Sequence, residues 1–147
     1  MHIQKIERDK KRYLDLLLLA DEQESMIDRY LERGAMYVGA EGETIAVCVV
    51  TDEGKGVLEL KNIAVKPEFQ KNGYGKAMIA FLAEIYRDRF RVLQVGTGDV
   101  PSALRFYEKC GFRQSHKIPH FFTDHYDHPM YEDGVQLVDM VYLQKAL

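Results

Sequence analysis

Only two cysteines, Cys48 and Cys110, occur in this sequence, far apart and each inside an apolar segment. That excludes a disulfide scaffold, and both residues read as small buried hydrophobes in a reducing compartment. Proline is scarce, with four residues, and no Pro/Gly/Ser-rich stretch, low-complexity tract or internal repeat divides the chain. A linker is therefore not expected, and positions 1–147 are read as one domain. No block of five like charges occurs and the formal net charge is −3, so the basic footprint of a nucleic-acid binder is missing. An anionic ligand has to be held by local chemistry. Long hydrophobic runs are also missing. Leu16 to Ala20 is too short to span a bilayer, and Met1 to Arg8 lacks the apolar stretch of a secretory signal. These absences lead to the expectation of a soluble cytoplasmic protein with neither a membrane nor a nucleic acid as partner.

What is present is 46% apolar content, enough for one core at this length. Ile3 and Ile6 mark a short opening strand, and Arg12 to Ala20 and Glu22 to Arg33 read as two helices, the second capped by Gly34. Met36 to Ala40 and the apolar run Ile45 to Val50 flank a Glu41-Gly42-Glu43 turn and predict a hairpin, its second strand covered on both faces. In the next strand, Val57 to Val65, Leu58 and Leu60 share one parity whereas Ile63 and Val65 take the other. A bulge near Lys61-Asn62 reconciles them and marks where a sheet can open. Ala77, Met78, Phe81, Leu82 and Ile85 repeat at helical spacing from Tyr74 to Arg87. Val92 to Gly96 reads as a strand. A helix capped by Asp99, with Pro101 in its first turn, runs to Cys110 and stops at Gly111. Phe112 to Lys117, an aromatic and histidine-rich loop, and a closing strand from Val135 to Tyr142 complete the chain.

The segment Gln70-Lys71-Asn72-Gly73-Tyr74-Gly75-Lys76 joins the bulged strand to the long helix. Free backbone N–H groups and the positive end of the helix dipole make such a junction an anion site. Gly73 and Gly75 permit close approach of a diphosphate, and Lys71 and Lys76 add charge. A glycine-rich turn without a ligand has the same local pattern. A dinucleotide fingerprint is disfavoured because position 78 is Met, and no Gly-Lys-Ser/Thr is present for a Walker loop.

The stretch Leu60 to Gly75 resembles the acetyl-CoA signature of the GNAT superfamily of N-acetyltransferases, whose core is Gln/Arg-x-x-Gly-x-Gly/Ala. Ala103 to Phe112 is similar to that superfamily's Ala-x-x-x-Tyr-x-x-x-Gly-Phe block, in the same order downstream. One position departs: Val100 stands seven residues before Tyr107, where many members carry Asn against the pantetheine arm, with Asp99 and Ser102 beside it as substitutes. The resemblance implies an α/β (α+β) fold: a twisted, mostly antiparallel sheet, splayed at a bulged central strand, with helices on both faces. It also implies acetyl-CoA as co-substrate without a metal, bound at Ile63, Ala64, Val65, Gln70, Lys71, Asn72, Gly73, Tyr74, Gly75, Lys76, Ser102 and Tyr107. Backbone N–H groups of Ile63 and Val65 would hold the acyl carbonyl, and Tyr107 would protonate the departing thiolate. Glu59, eleven residues before Gln70, occupies the place of a catalytic glutamate in some members.

Amide formation from a thioester needs a neutral amine, a stabilised oxyanion and a proton for the thiolate. Tyr107 suits the last task if positioned, since a phenol of pKa about 10 is a weaker acid than a thiol of about 8.5. It equally suits packing with Phe106 and Phe112. Glu59, in an apolar strand, reads as a base with a raised pKa or as a solvent-facing partner of Lys61. His116, His120, His125 and His128 can be drawn as a metal site, but no cysteine cluster or helical His pair accompanies them. The same loop reads as a connector or as an acceptor loop in which Asp124, Asp127, Glu132 and Asp133 attract a cationic amine. With no histidine near Cys48 or Cys110 in sequence, direct transfer to a small-molecule or peptide amine is expected, from a monomer or homodimer. An acyl-CoA-binding regulatory module and a metal-binding interaction domain are the rival readings.

Overall fold

The computed structural model describes residues 1–147. Its elements run β1 (His2–Ile6), α1 (Leu14–Ala20), α2 (Glu24–Ile27), β2 (Ala35–Glu41), β3 (Glu43–Asp52), β4 (Val57–Val65), α3 (Tyr74–Tyr86), β5 (Val92–Gly98), α4 (Pro101–Lys109), β6 (Arg113–Ile118), α5 (Phe121–His125), β7 (Tyr131–Glu132), β8 (Val135–Gln136) and β9 (Met140–Ala146). Seven strands form one sheet in the order β1-β2-β3-β4-β5-β9-β6, while β7 and β8 make a separate hairpin. Every pairing in the sheet is antiparallel except β4 with β5.

Alternation along β3 divides the core between the two faces. Ala46, Cys48 and Val50 join α3 and α4 in a cluster with Met78, Leu82 and Tyr107. Val47 and Val49 join Leu16 and Leu17 of α1, together with Ile27, Tyr30 and Leu31, on the other face. The parity change expected in β4 is present. Leu60 faces Val50 and Asn62 faces Val49, so Lys61 is the extra, unpaired residue. Before it, Leu58 and Leu60 point to the α3 face. After it, Ile63 and Val65 do so, while Ala64 turns to α1.

Four expectations are corrected. The helix expected from Glu22 to Arg33 shrinks to α2, followed by tightened turns such as Tyr30 N–H to Ile27 O at 3.1 Å. At the far end of this segment the buried Lys10 ammonium donates to the carbonyls of Leu31 at 2.9 Å and Gly34 at 2.8 Å. Gly34 serves close packing rather than a left-handed cap, since a Cβ there would lie 2.7 Å from Val49 Cγ1. The closing strand begins at Met140, not Val135, because Asp133 and Gly134, at φ 50° and 78°, turn β7 into β8 as a two-residue hairpin. Asp99 makes no cap on α4. Val100 is the capping residue, without a side-chain bond, and Asp99 instead meets Lys117 Nζ at 3.1 Å.

Candidate active site

The parallel pairing of β4 with β5 stops at Leu60 and Val95, one residue before the bulge. Beyond it β4 continues on β3 while Gly96 to Gly98 continue on β9, so the two strands part. Lys66 N–H donates to Ile45 O at 2.8 Å, on the β3 side. The two-residue repeat of an antiparallel ladder then sends the Ala64 N–H the same way, and those of Ile63 and Val65 to the open edge. No strand covers that edge, and two donors aimed at one gap suit a carbonyl that gains negative charge.

A cavity of about 650 Å³ occupies the parting. Its walls include Glu59 and Lys61 to Val65 of β4, Gly96 to Gly98 of β5, Asp21 and Tyr30 from the α1–α2 region, Tyr126 and Glu132 from the loop after β6, and Tyr142 of β9. Tyr107 reaches the same cavity from α4, on the other side of the sheet.

Tyr107 is buried, with Phe106 and Phe112 edge-on at 5.0 and 5.6 Å. The packing role and the place at the cavity therefore coexist. Burial, with the nearby charge of Glu132, raises its pKa well above that of a free phenol, so the hydroxyl keeps its proton. Glu59 is buried rather than solvent-facing, yet it is paired. Lys61 Nζ lies 2.7 Å from Oε2, Gln94 Nε2 donates to Oε1 at 2.8 Å, and the Tyr142 hydroxyl approaches Oε2 at 3.4 Å.

The strand-to-helix turn is built by its own side chains. Gln70 Nε2 donates to Val65 O at 2.9 Å, and Asn72 Nδ2 donates to the carbonyls of Phe69 and Gln70, each at 3.2 Å. Lys71 and Gly73 take left-handed conformations, φ 63° and 84°, and Gly73 faces open space. Gly75 has a different reason to be glycine, because a Cβ there would lie 3.1 Å from Phe106 of α4. Tyr74 opens α3 with its ring 6.4 Å from Phe69, and Lys71 and Lys76 are exposed beside the helix start. Ser102 is drawn elsewhere: its hydroxyl donates to Asp133. Val100 anchors a small apolar cluster with Phe122, Met130 and Leu137.

Several wall residues had no local signal. The Tyr30 hydroxyl donates to Asp21 Oδ2 at 3.0 Å and the Tyr126 hydroxyl to Oδ1 at 2.6 Å, joining the α1–α2 region to the loop. Asn62 Nδ2 donates to Leu17 O at 3.0 Å and to the Tyr30 oxygen at 3.1 Å, which ties this knot to the bulge. The four histidines spread apart. His116 stacks on Tyr142 at 4.8 Å, His125 lies 4.7 Å from Phe121, and His128 pairs with Asp127 at 2.5 Å. Of the four loop acids, only Glu132 lines the cavity.

Residues 32–114 match the family model described as an acetyltransferase (GNAT) domain. The chain is 37% identical to the N-acetyltransferase YvbK of Bacillus subtilis (strain 168), with 97% of each chain covered. It superposes on a GNAT family acetyltransferase from Elizabethkingia anophelis, solved with acetyl-CoA bound, at a TM-score of 0.93 and 32% identity over 99% of this chain and 97% of that one. A Bacillus subtilis acetyltransferase in complex with CoA gives 0.90 and 37%, covering 99% and 98%. The sheet that parts at a bulged strand, the glycine turn that opens α3 and these likenesses over nearly the full length agree, and the chain belongs to the GNAT family of acetyltransferases.

Proposed function

We propose that this protein moves an acetyl group from acetyl-CoA directly to a primary amine. The observation that carries the reading is the parting of β4 from β5 at Lys61, which opens a cavity bounded by Glu59 and Tyr107. The N–H groups of Ile63 and Val65 receive the thioester carbonyl. Pyrophosphate rests on the turn from Gln70 to Lys76, where the start of a 13-residue helix offers free donors and Lys71 and Lys76 add charge. Gln70 and Asn72 act there by shaping the turn, and Ser102 by holding the hairpin rather than the pantetheine arm. Tyr107 gives its proton to the thiolate as the tetrahedral intermediate collapses. Positioning of the hydroxyl beside the departing sulfur has to offset the weak acidity of the phenol, which burial makes weaker still.

Direct transfer is supported by the state of the thiols. Burial pushes Cys48 up to about 12 and raises Cys110 as well, so neither is a ready nucleophile. No helix is long and apolar enough to cross a membrane. Two free thiols fit the reducing cytoplasm, and the family match supports a single acetyltransferase domain over residues 1–147. The test is thiol release from acetyl-CoA against a panel of small amines and lysine peptides, with coenzyme A thermal shift on the same samples. Release stimulated by one amine is the expected result. A protein that coenzyme A stabilises but that consumes no amine is instead a binding module.

A further inference from the structure

Of the carboxylates that line the cavity, Asp21 receives two tyrosine hydroxyls and Glu59 is held by Lys61, Gln94 and Tyr142. With the oxygens of both carboxylates already engaged by these partners, neither is free to receive an acceptor ammonium. Glu132 differs. It stands exposed at the rim of the cavity with no bonding partner, and partial desolvation together with the like charges of Asp133 and Glu22 lifts its carboxyl above the usual range.

Its position is built from both ends of the β7–β8 hairpin. The Ser102 hydroxyl, at the start of α4, donates to Asp133, and Leu137 N–H donates to Met130 O at 2.8 Å. Leu137 packs on Gly98 so closely that a Cβ there would lie 2.5 Å from its Cδ2. Ser102 and Tyr107 share α4, so the bond that fixes the hairpin also fixes Glu132 relative to the hydroxyl of Tyr107, which feels its charge. Glu22 reaches the same wall from the α1–α2 connection.

We propose that Glu132 is the base that deprotonates the acceptor ammonium, and that Glu59 is a positioning residue. The inference rests on the amine-acceptor reading above. The ammonium gives one proton to the Glu132 carboxylate. The neutral nitrogen bonds to the thioester carbon, and the C–S bond breaks with its electron pair on sulfur. Sulfur takes the Tyr107 proton, the amide nitrogen releases its second proton to restore Tyr107, and Glu132 returns the first to solvent. One proton leaves per turnover.

The experiment compares wild type, Glu132→Gln, Glu132→Asp and Glu59→Gln, with acetyl-CoA saturating and the best amine of the panel, from pH 6 to 10. Glu132→Gln is expected to lower kcat/KM about a hundredfold at neutral pH, the usual worth of a general base. The deficit should shrink as the amine deprotonates unaided, and Glu132→Asp should recover part of the rate. Coenzyme A affinity and thermal midpoint serve as the folding control, and both should hold. A loss under threefold at every pH, or a deficit that does not change with pH, overturns the proposal. If no amine is consumed even by wild type, the acceptor reading itself fails and the role of Glu132 falls with it. A separate readout needs no acceptor. In carbon-13 glutamate-labelled protein with coenzyme A, the carboxyl resonance missing from Glu132→Gln should titrate above the ordinary glutamate range, and an ordinary midpoint overturns the assignment.

Discussion

Tyr107 shows how one side chain holds two positions at once. Its ring is enclosed by Phe106 and Phe112, and its edge reaches the cavity across the gap between β4 and β5. Replacing it with Phe keeps the ring and deletes only the hydroxyl. Turnover is therefore expected to fall about a hundredfold while coenzyme A affinity stays within threefold, measured by steady-state kinetics and thermal shift. Equal turnover would return Tyr107 to the core alone. Gly73 tests the phosphate turn. Any side chain there is strained at φ 84° but meets open space, so Gly73→Asn and Gly73→Asp share the backbone cost and differ in charge. The Asp variant should bind coenzyme A at least tenfold more weakly than the Asn variant, about 1.4 kcal/mol. Equal affinities would place the phosphates elsewhere.

At the scale of elements, the knot at Asp21 decides how the loop after β6 sits over the cavity. Tyr30 and Tyr126 both donate to its carboxylate, and Asp127 N–H donates to Gln23 Oε1 at 3.1 Å. Burial outweighs these bonds and raises the Asp21 pKa in the folded protein. Unfolded Asp ionises near 3.9, so between that value and the folded midpoint the folded state carries the extra proton. The contribution to stability is complete below about pH 3.9 and is lost as pH rises through the folded midpoint. Asp21→Asn should therefore gain stability relative to wild type as pH climbs from 3.5 to 7, read from urea midpoints. A difference that stays constant with pH would contradict the raised pKa. The truncation of α2 belongs to the same scale. The pattern from Glu22 to Arg33 is helical, yet the chain leaves the helix after Ile27, and the carbonyls of Leu31, Glu32 and Gly34 beyond it accept from Lys10.

For the whole molecule, the two faces of the sheet do different work. The α3–α4 face carries the glycine turn and Tyr107, while the α1–α2 face carries Asp21, Tyr30 and the acidic wall, and the gap between β4 and β5 joins them. On the proposed reading, coenzyme A at that gap would tie elements from both faces and bind the folded state alone. At a hundred times its Kd it should add about 2.7 kcal/mol to unfolding stability, visible as a concentration-dependent rise in Tm. A Tm unmoved by coenzyme A would remove the basis of the site. The sequence by itself determined the elements whose patterns are local. The parity break between Leu60 and Ile63 located the bulge, the spacing from Ala77 to Ile85 gave α3, and Gly73 and Gly75 marked the turn. Those features follow from the fixed periods of strand and helix, which one short segment contains in full. Tertiary structure alone decided that Glu59 is buried against Gln94 and Tyr142, that Ser102 serves the hairpin, and that Tyr126 meets Asp21 across 105 positions. Such contacts depend on which distant segments the fold brings within hydrogen-bond reach, and no local period encodes that.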